Sequence, residues 1–423
     1  MYIAHVTVGN LGGRDDSGIA LEWHSSRFLR LLFEDVFPLW STLGMDRERG
    51  GFHECLAVDG LIPPVARRVR VSARQVYVFA EAARLGLNPT VASACIRHGQ
   101  RFLQSHSDAD GLIAHSLSPE GAVVDEGKDL YDQAFLLLAW ASAFGHLGDP
   151  AYRRMGLELL ASLKASFAYE GGGFVDRTDR PFPLRANPHM HLLEAALAWM
   201  AVDDDPAWQN LADEIVDLFQ RHFFDRVRGV VREFFGPDWS VLEENGRCRV
   251  EPGHNYEWAW LLLRWQSLTG GEAGNHPQRM ISFAETYGFD AIREVAINEC
   301  WSDGFVHDKT ARLWPQTERL KAWLAVAGSQ QGALREQAER NAASAARGLY
   351  AYLNHDARGL WHDVMLEDGS FGSGPSPASS FYHIVCALSE LSRYTQQHPV
   401  AADELARPGA GVAAKASSPE LAL

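Results

Sequence analysis

Apolar residues recur at helical spacing along most of this chain, and the runs are of two kinds. Some are apolar nearly all round: LYDQAFLLLAWASAF from Leu130, HLLEAALAWM from His191, EWAWLLLRW from Glu257 and FYHIVCALSEL from Phe381. Helices of that kind are buried. Others, such as LADEIVDLFQRHF from Leu211, carry one apolar stripe and one polar face. The two kinds alternate, which predicts helix pairs at 73–85 and 92–105, 130–147 and 151–167, 189–202 and 207–223, 254–268 and 276–287, and 315–327 and 334–353. A last buried run, 380–394, lacks a follower. The amphipathic run 27–43, with Phe28, Leu31, Leu32, Val36 and Leu39 on one stripe, supplies it from the other end of the chain.

Between pairs a glycine returns beside β-branched or aromatic residues: GGFHE, DGLIAH, GGFVD, RGVVREF, DGFVHD and RGLWHD, with Gly51, Gly111, Gly173, Gly229, Gly304 and Gly359 as markers. Their gaps run from 55 to 75 residues, room for two helices and a turn. No copy can bury its own apolar face, so the expectation is one closed domain. It is all-α, an (α/α)6 barrel of six inner and six outer helices, with short β-hairpins at one rim. The expected limits are a loose leader at 1–18, the barrel at 19–401 and a disordered tail at 402–423, which is rich in Ala, Pro, Ser and Gly.

Composition narrows the partners. Lysine and arginine total 39 against 54 acids, a net charge of −15, which argues against nucleic acid and anionic membranes. The five cysteines are scattered without a CxxC pair, as expected of free thiols in a reducing cytoplasm. The first residues lack the basic flank and apolar core of a signal peptide, and no apolar run is long enough to span a membrane. A homo-oligomer stays open.

The candidate chemistry lies where the buried helices begin. Arg74; Tyr131 and Asp132; Asn187, His189, His191 and Glu194; His254 and Glu257; Gln316, Glu318 and Lys321; Tyr382 and His383 all fall in the first turns of apolar helices. Buried polar groups must be paired or used. Six helix starts facing one point would make a polar pocket in an apolar ring. Two starts echo each other: both the 188–194 and the 252–257 stretch place Pro ahead of a His-x-x-Glu. A carboxylate three residues on shares the helix face and can fix a histidine tautomer. A single such histidine is usually a cap or a satisfied core group; several at matching positions of different repeats point to a site. His189-x-His191 suggests a metal, but residues two apart diverge on a helix and no HExxH is present, so no metal is expected. No phosphate-binding glycine loop follows a strand, so no nucleotide cofactor is expected either.

At these same helix starts the chain resembles the N-acylglucosamine 2-epimerase superfamily, over residues 23–394. The resemblance is carried by ARQVYVFAEA from Ala73, DLYDQAFLLLAWASAF from Asp129, NPHMHLLEA from Asn187, EPGHNYEWAWLL from Glu251, RLWPQTERLKA from Arg312 and FYHIV from Phe381. It implies an (α/α)6 barrel that acts on free sugars without a metal or other cofactor. Matched by motif, His254 and His383 correspond to the family's two catalytic histidines, and Arg74 to the arginine on the oxygens near C1 and C2. Asn187 and His191 match the Asn-x-x-x-His element, Glu257 and Glu318 match carboxylates that hold these groups, and Tyr131 and Trp314 match pocket-lining positions. The WPQTE stretch and the SSFYHIV ending look most like the mannose isomerase branch. The single tryptophan of Leu313-Trp314-Pro315 weakens a platform for a second sugar ring.

The resemblance implies proton transfer next to a carbonyl: His254 opens the sugar ring, His383 takes the C2 proton, and a cis-enediol(ate) forms under Arg74 and His191. The expected activity is interconversion of D-mannose and D-fructose, with D-lyxose and D-xylulose as close relatives. A D-mannose 2-epimerase, another 2-epimerase or a sulfoquinovose isomerase uses the same residues. An inverting glycoside hydrolase needs two opposed carboxylates, where this chain offers histidines. A sugar-binding protein without activity would be free to lose His254 or His383.

Overall fold

The computed structural model describes residues 17–399. Apart from Ser17 and Gly18, the expected leader and tail lie outside the described residues. Twelve long helices carry the fold among the described residues: α1 (Ser17–Leu31), α2 (Val69–Leu85), α3 (Pro89–Ser105), α4 (Leu130–Leu147), α5 (Pro150–Ser166), α6 (Ala186–Met200), α7 (Pro206–Leu218), α8 (Pro252–Thr269), α9 (His276–Tyr287), α10 (Leu313–Ser329), α11 (Ala333–Leu353) and α12 (Ala378–Gln397). Each even-numbered helix packs on the next even-numbered one, and α12 packs back on α2, so the inner ring closes. The odd-numbered helices form the outer ring, with α1 against α11 and α12. This is the expected (α/α)6 barrel.

Local chemistry sets the helix boundaries. Three outer helices begin with an Asx-Pro pair, Asn88-Pro89, Asp149-Pro150 and Asp205-Pro206. The Asx side chain accepts from the second helical N–H, of Thr90, Ala151 and Ala207, at 2.9 to 3.0 Å. The proline takes the first position, where its missing donor costs nothing. At the same rim Gly148 ends α4 with φ 65°, and Asp149 starts the next helix at once.

α1 differs from expectation. It begins ten residues before 27 and continues through a π turn, Leu32–Val36, into Phe37–Trp40. Leu21 is buried one turn pair before Phe28, so the buried stripe runs on through the polar His24-Ser25-Ser26, and His24 itself is buried.

At the opposite rim each outer helix ends in a turn that leads, by short antiparallel ladders, to the next inner helix. Gly51, Gly111, Gly173, Gly229, Gly304 and Gly359 all have φ between 69° and 90°, a region closed to most side chains. The fifth turn, however, is not the one the glycine pattern indicates. Phe289–Asp290 pairs with Val295–Ala296, and the left-handed residue of that hairpin is Glu294, φ 54°. Glu294 lies 65 residues after Gly229 and 65 before Gly359, so the repeat is more even than its glycines suggest. Gly304 belongs to an added hairpin, Glu299–Trp301 with Val306–Asp308, on the way to α10. Arg347 holds the Glu294 carboxylate at 2.9 Å.

Candidate active site

The inner helices share one register. The sixth residue of each is Arg74, Phe135, His191, Glu257, Glu318 and His383, in chain order. Together these six make a layer across the barrel axis. The Arg74 guanidinium lies 4.1 Å from the centre of the Phe135 ring, and Phe135 lies 4.5 Å from the His191 ring. His191 Nδ1 is 4.0 Å from Glu257 Oε1, and donor atoms of Glu257, Glu318 and His383 lie within 4.8 Å of one another.

One turn nearer the rim, the second residues are Arg70, Tyr131, Asn187, Gly253, Trp314 and Ser379. Residues four apart stack on one helix face, so the two layers form a single wall. Gly253 leaves the space that Trp314 fills: a Cβ there would meet Trp314 Cη2 at 2.4 Å. The Trp314 ring therefore sits between His254, at 5.0 Å, and His383, at 5.7 Å.

These layers enclose a cavity of about 250 Å³, lined by Arg74, Tyr131, Asn187, His191, His254, Glu257, Trp314 and His383, with Arg68, Arg70 and Arg312 toward its mouth. That is below the roughly 300–1,000 Å³ of drug-sized ligand sites and suits one sugar ring. Eight of the nine expected site residues thus meet in one place. Glu318 belongs to the same layer but does not line the cavity; its Oε1 accepts from His383 Nδ1 at 2.9 Å. A roomier groove of about 610 Å³ lies beside the first hairpin, but its charges answer one another: Arg67 meets Asp46, and Glu54 is held by Arg68.

Each pocket histidine has a carboxylate on Nδ1, which leaves Nε2 as the nitrogen without a carboxylate partner. His191 donates to Glu194 Oε2 at 3.1 Å, the i, i+3 partner anticipated from the sequence. For His254 that expectation fails. Its Nδ1 turns to the rim and meets Glu233 Oε1 at 2.9 Å, on the fourth hairpin, while both oxygens of the buried Glu257 lack a hydrogen bond. His189 is structural: Nδ1 meets the Arg185 carbonyl and Nε2 accepts from Phe174 N–H, pinning the third hairpin.

Sequence reasoning missed Glu233 and Arg70. Glu233 sits in the RGVVREF hairpin, away from any helix start, so no helical spacing marks it. Arg70 precedes the expected start of its helix; its guanidinium meets Asp132 Oδ1 at 2.6 Å, and Asp132 Oδ2 meets His115 at 2.6 Å.

The surroundings push the pKa values of the two central histidines in opposite directions. Burial works against a charged His254, but Glu233 and Glu251 outweigh it and hold its pKa well above the ordinary histidine value. Burial, then Arg74, Lys321 and His191, push His383 well below that value. Burial also takes His191 down to about 4, despite Glu194. Burial, then the neighbouring Glu318 carboxylate, push Glu257 well above the carboxylate range. Paired groups pushed apart in this way mark an acid and a base.

Two groups, His191 with Glu194 and Glu257, and Glu257 with Glu318 and His383, have metal-ligand spacing. Lys321 Nζ already lies 2.6 Å from Glu318 Oε2, and Tyr382 donates to Glu194. Two of the three carboxylates, Glu194 and Glu318, are thus answered by the chain's own donors, and we assign no metal there.

The fold is thus an α/α barrel whose small polar cavity is lined by three buried histidines, each with a carboxylate on Nδ1, a site sized for a small polar ligand. The model of the family N-acylglucosamine 2-epimerase (GlcNAc 2-epimerase) matches residues 50–387. The chain is 40% identical over 380 residues to mannose-6-phosphate isomerase of Rhizobium meliloti (strain 1021), covering 88% of this chain and 98% of that one. It is 30% identical over 239 residues to D-mannose isomerase of Thermobifida fusca, covering 51% and 56% of the two chains. A crystal structure of D-mannose isomerase has the same fold, with a TM-score of 0.76 at 20% identity over 91% of this chain and all of that one. The chain belongs to the N-acylglucosamine 2-epimerase family, and it is an isomerase or epimerase of sugars. No helix among the described residues is long and apolar enough to cross a membrane.

Proposed function

We propose that the protein interconverts D-mannose and D-fructose by proton transfer through a cis-enediolate, with D-lyxose and D-xylulose as further substrates. The observation that carries this reading is the placement of His254 and His383 on either side of the Trp314 ring, each with a carboxylate on Nδ1.

The protonated His254 gives its Nε2 proton to the ring oxygen and recovers one from the O1 hydroxyl, which opens the ring. Neutral His383, its Nδ1–H fixed on Glu318, accepts the C2 proton at Nε2. The C2–H electron pair becomes the C1–C2 double bond, and the negative charge moves to O1. Arg74, held by Tyr131 Oη at 2.6 Å and the Ser379 carbonyl at 3.2 Å, faces that oxygen. The N-termini of six inner helices add positive potential there. His383 returns the proton to C1 while the O2 proton passes to O1, giving the ketose. Glu257 takes part as a neutral acid that donates to a sugar hydroxyl.

The protonated His254 also supports a second reading. If it gives a proton to the other face of C2, the product is the 2-epimer and the enzyme is a mannose 2-epimerase. Incubation with D-mannose and a chelator in deuterated water separates the two. Fructose labelled at C1 supports the isomerase, glucose labelled at C2 supports the epimerase, and no turnover of unmodified hexoses contradicts both.

The name of the Rhizobium relative raises a 6-phosphate as an addition to the substrate. Arg68, Arg70 and Arg312 line the mouth, but Glu54, Asp132 and Asp363 lie 2.7, 2.6 and 3.9 Å from them. This pairing favours the neutral sugar. Comparing kcat/KM for D-mannose and its 6-phosphate tests the point, and a preference for the phosphate overturns it.

A further inference from the structure

Below the sixth-residue layer lies a floor formed by the ninth residues of the inner helices, among them Tyr77, Glu194, Trp260, Lys321 and Cys386. Lys321 is fully buried and does not line the cavity, so it touches no substrate. Its ammonium lies 2.6 Å from Glu318 Oε2, 3.6 Å from Cys386 Sγ and 3.8 Å from the centre of the Trp260 ring. A lysine sealed this way persists only if its charge is answered or used.

The comparison that gives it a use is between the two central histidines. Both hold a carboxylate on Nδ1 at 2.9 Å, Glu233 for His254 and Glu318 for His383. That contact ordinarily favours the imidazolium. Glu233 has a second carboxylate beside it, as Glu251 lies 3.7 Å from His254 Nδ1. Glu318 instead has an ammonium on its other oxygen. We propose that Lys321 is the positioning residue that lets Glu318 orient His383 without charging it: by occupying the second carboxylate oxygen, it leaves His383 an unprotonated base while the matching carboxylate keeps His254 an acid. The inference rests on the isomerase reading for its catalytic meaning, but not for its test.

The surroundings agree. From α2, Arg74 faces His383 and opposes its protonation; from α6, His191 opposes it and Glu194 favours it. Glu257 on α8 is itself pushed well above the carboxylate range by burial and by Glu318, which favours its uncharged form. Tyr382 and Cys386, on the helix of His383, are held uncharged by burial. On α10, burial pushes Glu318 up while Lys321, 2.6 Å from its Oε2, pulls it down. For Lys321, burial works against the charge, and the carboxylates around it, Glu318 in direct contact, hold it above the ordinary lysine value. Lys321 is therefore the one cation on the elements around His383 that is bonded to its carboxylate.

The test is direct titration of His383 by NMR on histidine-labelled full-length protein, with the resonance assigned from His383→Gln. In Lys321→Met the His383 pKa should rise by about one unit or more, a tenfold change in its protonation constant, while His254 stays put. In Lys321→Met/Glu318→Gln, which removes both charges, His383 should titrate near its wild-type position. A folded Lys321→Met protein with an unmoved His383 overturns the proposal, as does a double variant that titrates well above wild type. If Lys321→Met does not fold, the double variant alone decides. None of these readings needs a substrate, so a wrong sugar assignment and a wrong role for Lys321 give different results.

Discussion

Glu233 Oε1 lies 2.9 Å from His254 Nδ1, joining the fourth hairpin to the start of the inner helix it leads into. The contact is buried at both ends, and it favours a charged His254, the state in which the proposed cycle begins.

The first prediction concerns pH. The proposed mechanism needs His383 neutral and His254 charged. Since His383 is lowered, kcat/KM is lost only as pH falls below the usual histidine range; since His254 is raised, it is lost only as pH rises above that range. The profile should therefore be flat across neutrality. In Glu233→Gln the alkaline limb should move to lower pH by about one unit or more. A profile with both limbs near pH 6.5 contradicts the assignment.

Glu257 gives a second, sharper contrast. As a neutral acid it should tolerate an amide in its place, so Glu257→Gln should keep kcat/KM within about tenfold of wild type, since no charge is removed. Loss of more than a hundredfold would mean that the ionised form is required.

Backbone strain at the fifth turn supplies a stability test. Glu294 occupies φ 54°, where a side chain costs about 1–2 kcal/mol. The exposed pair with Arg347 returns about 0–1 kcal/mol. Glu294→Gly should therefore raise the unfolding temperature slightly, by the equivalent of up to about 1 kcal/mol. A clear fall in that temperature would show that the ion pair outweighs the strain.

Much of the barrel was legible because its inner helices are apolar on every face, which only burial explains. The rim was legible where glycine marks a left-handed turn, and illegible at Glu294, where Asp290 keeps the turn pattern but the glycine is absent. The site was legible as a set of helix starts. Its layered register was not, because the apolar pattern fades before the true first residue: α2 begins at Val69 and α6 at Ala186, several residues ahead of the expected starts. Once the starts are aligned, Arg74, His191, Glu257, Glu318 and His383 become equivalent positions. Glu233 was beyond reach, since a carboxylate on a hairpin 21 residues before its histidine follows no periodic rule.

The central claim, that His383 removes the C2 proton, is tested most directly by solvent exchange. Wild-type protein and folded His383→Gln are incubated with D-mannose in deuterated water, and loss of the C2 proton is followed by NMR. Wild type should exchange or transfer the C2 hydrogen readily, and His383→Gln should do so at least about a hundredfold more slowly. Near-normal loss of the C2 proton in the variant would contradict the account.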